Sequence, residues 1–128
     1  MATSSGQYGV CMTEVLFETL ALDCRLDAYG AVRYFNALGQ RHRVYGPAIE
    51  YPNRRREWYQ NGQRHRVDGP AIVNADGGCE WWQHGRLHRL DGPAVERPDG
   101  SCEWYINGKQ LTQAEWLQVV ASMGIAND

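Results

Sequence analysis

Three histidines, His42, His65 and His88, stand 23 residues apart, and the last two are followed three positions on by Asp68 and Asp91. Imidazole and carboxylate in this order suit zinc ligation or proton transfer to a nucleophile. Even spacing argues against the first. Equivalent positions in successive two-stranded units lie ~10 Å apart, twice the inter-strand distance, whereas zinc holds its nitrogens at ~2 Å from one point. The second needs a nucleophile, and no Ser or Cys recurs beside either residue; Ser101 falls in a turn. No Gly-rich phosphate loop, CxxC pair or HExxH helix is present. The sequence therefore predicts no enzyme, no metal and no cofactor. The histidines are expected to be structural, each fixing its own turn through Asp68 or Asp91. Cys79 and Cys102 occupy equivalent positions one repeat apart, which puts their Cα atoms beyond the ~7 Å that a disulfide spans.

What positions these residues is a repeat. Gly39-Gln40-Arg41-His42-Arg43-Val44-Tyr45-Gly46-Pro47-Ala48-Ile49 returns at Gly62 and again at Gly85, and a fourth start at Gly108 breaks off. Between the starts lie Glu57-Trp58-Tyr59, Glu80-Trp81-Trp82 and Glu103-Trp104-Tyr105. Asp76-Gly77, Asp99-Gly100, Asn61-Gly62 and Asn107-Gly108 are tight-turn dipeptides between short runs rich in β-formers, so each unit reads as a β-hairpin. Alternation places Trp58, Trp81 and Trp104 on one face and Tyr59, Trp82 and Tyr105 on the other. Residues 22–38 read as a worn first hairpin, with one extra residue before the next unit. Residues 13–21 read as either helix or strand, with helix favoured. Thr112-Gln113-Ala114-Glu115 is a capping box. It opens a helix to about Met123, with Leu117, Val120 and Ala121 on its inner side, which caps the open edge of the array. The fold class is mainly β, an elongated antiparallel sheet of successive hairpins with a C-terminal capping helix. The expected organisation is a cap segment over 1–26, repeats over 27–111 (units near 39–61, 62–84 and 85–107), and a helix and tail over 112–128.

These blocks, Glu-Trp-Tyr-x-Asn-Gly-x-x-His-Arg and Asp-Gly-Pro-Ala at a period of 23, resemble the MORN family of repeats, in a divergent form seen in phage, bacterial and giant-virus proteins. The resemblance covers roughly residues 27–110. It implies a single-layer sheet of hairpins and a binding or scaffolding role toward protein partners, self-association or lipid head groups, with no common catalytic set. The chain departs from the family pattern at Arg43, Arg66 and Arg89, where Gly usually follows His; this weakens any transfer of lipid binding.

In a repeat protein, residues shared by every unit serve the architecture: His42, His65, His88, Trp58, Trp81 and Trp104 fall in that class. Residues that break the pattern are the functional candidates. Asn53-Arg54-Arg55-Arg56 stands where other units have a tight Asp-Gly turn, Tyr45 replaces an aspartate, and Trp82 and His84 replace Tyr and Asn. Residues 33–66 carry eight arginines against two acids in a chain of net charge −2. Such a segment steers acidic partners, and arginine favours bidentate contact with carboxylate or phosphate. The expected site is a basic patch of Arg41, Arg54, Arg55, Arg56 and Arg64, with Tyr45, Trp82 and His84 as aromatic contacts, for a protein partner with an acidic surface. The phage-type resemblance suggests an inhibitor that occludes an acidic or nucleic-acid-binding surface of a host or bacterial defence protein. Direct binding of nucleic acid or anionic lipid is the alternative from another class, and a homodimer is compatible with exposed hairpin edges. No apolar run approaches the ~18 residues of a membrane span. The first residues lack the basic start of a secretory signal, and four cysteines are too few for a disulfide scaffold. The expected location is the cytoplasm, that of the host if the protein is phage-encoded.

Overall fold

Two successive 23-residue repeats each make two short hairpins that belong to different sheets. The computed structural model describes residues 23–124; the expected helix or strand over residues 13–21 lies outside them. A main sheet holds β1 (Asp23–Leu26), β2 (Val32–Phe35), β3 (Ile49–Glu50), β4 (Arg56–Glu57), β7 (Ile72–Val73), β8 (Cys79–Glu80), β11 (Val95–Glu96), β12 (Cys102–Ile106) and β13 (Lys109–Leu111), in that spatial order and antiparallel throughout. The missing numbers form two ribbons beside it: β5 (Tyr59–Gln60) with β6 (Gln63–Arg64), and β9 (Trp82–Gln83) with β10 (Arg86–Leu87).

The split occurs at the recurring tryptophans. The N–H of Trp58 donates to the carbonyl of Ala71 beside the main sheet, while its own carbonyl accepts from His65, just past the ribbon that Trp58 leads into. Trp81 repeats this with Ala94 and His88. One residue thus changes partners, and the strand ahead of it joins the main sheet while the strand behind it folds back. Tyr34 makes the same bonds, to Ala48 and from His42. The first unit's extra residue lies in its turn, where Asn36 and Gln40 are bonded and Phe35 bridges Arg41. In the last unit β12 runs unbroken through Trp104, because β13 pairs with all of Trp104, Tyr105 and Ile106.

One row across the main sheet alternates aliphatic and acidic residues: Ile49, Glu57, Ile72, Glu80, Val95 and Glu103 stand opposite one another in register. A carboxylate among aliphatic neighbours needs a donor, and the aromatic residue two positions on supplies it. The hydroxyls of Tyr59 and Tyr105 donate to Glu57 and Glu103 at 3.0 and 3.1 Å, and Trp82 Nε1 donates to Glu80 at 2.9 Å. Ala48, Ala71 and Ala94 are fully buried; Ala48 and Ala71 bond backbone on both sides. Cys79 and Cys102 are free and flank Glu96 from the two adjoining strands.

The capping helix α1 spans Gln113–Ser122 and carries the full reciprocal box: Thr112 accepts from the Glu115 N–H and Glu115 accepts from the Thr112 N–H. Its buried residues are Trp116 and Val120, whereas Leu117 is 47% exposed and Ala121 is exposed. The expected inner side of Leu117, Val120 and Ala121 is therefore rotated. The reason is Trp116, whose ring meets Trp104 at a centroid distance of 4.6 Å and whose Nε1 donates to the Arg89 carbonyl at 2.9 Å.

Candidate functional site

The arginine that follows each repeat histidine is a strut. Arg43, Arg66 and Arg89 place Cζ 4.0, 4.0 and 3.7 Å from the ring centres of Tyr34, Trp58 and Trp81. Each also donates through Nη1 to the carbonyl of the loop proline, Pro47, Pro70 or Pro93, at 3.0–3.2 Å. Arg66 and Arg89 donate through Nε to Asp68 and Asp91 at 3.1 and 2.8 Å; Arg43, whose loop has Tyr45 there, keeps only the carboxylate of Glu50 at 3.1 Å, the counterpart of the Glu96 that Arg89 also reaches at 3.2 Å. The guanidinium lies so close over the loop that a Cβ on Gly69 or Gly92 would sit 2.8 or 2.7 Å from its Cζ. The block Arg-x-Asp-Gly-Pro-Ala is thus one device. The aromatic ring and the glycine sandwich the cation, the aspartate and proline carbonyl take its protons, and the alanine fits the closed sheet.

The aspartates therefore serve the arginines and not the histidines, contrary to the expectation from sequence. Each histidine instead ties the end of one hairpin to the turn of the following one. Nδ1 of His42, His65 and His88 accepts the backbone N–H of Asn61, His84 and Asn107, each at 3.0 Å and each 19 residues on. This fixes the neutral ring with its proton on Nε2. Burial pushes the pKa of His65 and His88 below the ordinary 6.5, with His84 adding to the effect at His65. Below pH 6.5 the unfolded chain takes up protons that the folded chain refuses, so stability falls as pH drops through the window down to the lowered folded values. Thermal melts should be flat above that window and decline within it, and a His65→Gln, His88→Gln variant should show a shallower decline.

Placement of the pattern-breaking residues is specific. The turn at 51–55 keeps the tight geometry of its counterparts: Arg54 N–H donates to the Tyr51 carbonyl and Tyr51 N–H to that of Arg55, as Gly77 with Asn74 and Gly100 with Arg97 do elsewhere. The arginines do not replace the turn, as the sequence suggested; Arg54 adopts it at φ 78°, where the others have glycine at φ 95° and 89°. A side chain in this left-handed conformation costs about 1 kcal/mol, so Arg54→Gly should stabilise the protein by about that amount in chemical denaturation. Arg55 is not free: it bonds Glu57 at 2.8–2.9 Å and also Asn74. Arg54 and Arg56 are exposed. His84 occupies the first position of a type I′ turn at φ 52°, where the other units have asparagine, and its ring stands 4.5 Å from that of His65. Tyr45 is 67% exposed in its loop.

Arg41, Arg64 and Trp82 come together in the ribbons. Arg41 lies over the Tyr59 ring at 5.5 Å; Arg64 lies over the same ring at 5.8 Å and over Trp82 at 5.0 Å. The result is a ladder, Arg41, Tyr59, Arg64, Trp82, along successive units. Tyr59 is nearly buried, and burial, then the charge of Glu57, raises its pKa. Arg54 and Arg56 are not part of this ladder. They belong to the β3–β4 hairpin of the main sheet, separated from it by up to ~20 Å of extended chain. Sequence reasoning missed Tyr59 as a member and Glu57 as the acceptor of its hydroxyl. The Glu-x-aromatic spacing repeated in every unit was the available signal, because alternation puts those two side chains on one face.

No family model, curated protein or solved structure matches the chain. Among the described residues no helix is long and apolar enough to cross a membrane, and no group of three His, Cys, Asp or Glu side chains gathers as a metal would require.

Proposed function

We propose that the chain is a non-enzymatic MORN-like repeat protein that binds an acidic surface of a protein partner through Arg41, Arg54, Arg56 and Arg64. One observation carries this reading. Of the eight arginines in residues 33–66, Arg33, Arg43, Arg55 and Arg66 are spent on Asp27, Glu50, Glu57 and Asp68. Among the described residues, the other four have no carboxylate closer than the 4.0 Å between Arg64 and Glu57. The acids of the later units are occupied differently: Asp91 and Glu96 hold Arg89, and Glu103 holds Arg97. Of the described cations without a close carboxylate, these four lie in one segment and only Arg86 and Lys109 lie beyond it; positive charge gathered in this way steers acidic partners at low salt. The test captures partners from the source cell with the wild type and with an Arg41→Glu, Arg54→Glu, Arg56→Glu variant that melts normally. A partner that the wild type holds and the variant releases supports the reading; equal retention overturns it.

A further inference from the structure

We infer that Arg64 is the anchor of this surface: it takes a carboxylate from an acidic polypeptide segment, with Arg41 taking a second carboxylate one unit away. The inference rests on the acidic-partner reading and narrows it to two side chains.

Arg64 differs from every strut. Its guanidinium lies between the Tyr59 and Trp82 rings, yet no loop carbonyl or aspartate receives its protons. Its Nε is enclosed and has no hydrogen-bond partner. The side chain is 35% exposed, and the nearest carboxylate oxygen, on Glu57, is 4.0 Å away and already accepts from Tyr59. A cation placed beside two rings, with its fork unfilled, is pre-organised for a planar anion. The row is two guanidiniums long, because Leu87 occupies the next equivalent position in β10. Arg41 and Arg64 sit one repeat apart, ~10 Å by strand spacing.

The same geometry selects polypeptide carboxylates over single-stranded nucleic acid. Sequence-tolerant binding of bases needs free aromatic faces, and here guanidinium groups already lie over Tyr59 and Trp82. Glu57 and Glu80, bonded to those same aromatics, add negative charge beside the row, which repels a continuous polyanion more than two spaced carboxylates.

Fluorescence anisotropy with a labelled decaglutamate peptide, and with an oligothymidylate of equal charge, tests this at low salt. Arg64→Gln should weaken decaglutamate binding by about tenfold, and Arg64→Lys, which keeps the charge but loses the planar fork, by about threefold. An Arg54→Gln, Arg56→Gln variant should change it by less than ~2-fold. Decaglutamate affinity unchanged in both Arg64 variants, with loss in the Arg41, Arg54, Arg56 charge-reversal variant, overturns the anchor while the acidic-partner reading survives. Absence of any decaglutamate binding by the wild type overturns both. Tighter binding of the oligothymidylate than of decaglutamate overturns the selection of polypeptide. The lysine variant guards against loss of fold, since it preserves the stem and charge that pack between the rings.

Discussion

Trp116→Ala should remove about 3–4 kcal/mol of stability, the cost of deleting a large buried aromatic. For a domain whose whole margin is of order 5–15 kcal/mol, that is a large share. The reason lies in how the array ends. In each earlier unit an arginine covers the recurring aromatic, eight residues past Trp58 and Trp81. Eight residues past Trp104 stands Thr112, the helix N-cap, so no strut exists there. The helix supplies Trp116 instead, 6% exposed, set against Trp104 at a 52° tilt and bonded to the carbonyl of the last strut, Arg89. Leu117, one residue on and 47% exposed, is the control: Leu117→Ala should cost under ~0.5 kcal/mol. Urea denaturation of the two variants checks the pair. Equal losses would mean that the helix is held as a whole and not through this ring.

Arg89→Ala comes next, at about 2–3 kcal/mol, more than an exposed arginine is worth. The side chain is 18% exposed and combines the shortest approach to a ring, 3.7 Å, with bonds to Pro93, Asp91 and Glu96. Asp91 itself is 82% exposed and contributes little. What is lost is the cation–π contact and the charge-assisted bond to a part-buried carbonyl. Arg89→Lys should recover only a minor part, because an ammonium cannot lie flat on Trp81 while reaching both Pro93 and Asp91. By contrast Arg97→Ala, which removes a 45%-exposed cation from Glu103, should cost less than ~1 kcal/mol. Denaturation midpoints order the three.

The hairpin array and its helical cap were legible because tight-turn dipeptides, alternating aromatics and a capping box are local signals. The two-sheet split was not. It depends on where the backbone of Trp58 and Trp81 finds partners, beside the main sheet on one side and past their own ribbon on the other, and period-two patterning is blind to that choice. The role of Arg43, Arg66 and Arg89 was visible as a recurrence but not as a contact, since the guanidinium reaches a ring eight or nine residues away. Treating residues 33–66 as one basic patch followed from the same blindness: summed charge does not separate a clamped Arg66 from an unfilled Arg64. The bonds of the histidines run 19 residues forward to the turn of the following hairpin, a distance no turn motif suggests. Trp116 was overlooked because a Leu-Val-Ala stripe looks adequate until the ring of Trp104 demands a partner.

The clamped arginine is most directly tested by a double-mutant cycle between Arg89 and Gly92. Gly92 does not adopt a positive φ, so its need to be glycine is steric: a Cβ there would stand 2.7 Å from Arg89 Cζ. Gly92→Ala alone should destabilise by about 1–2 kcal/mol, by pushing the guanidinium off Trp81. In the Arg89→Ala background, the same substitution should cost nearly nothing, giving a coupling of about 1–2 kcal/mol. Additive losses in the two backgrounds would contradict the account: the arginine would then be a surface charge and the glycine a requirement of the backbone alone.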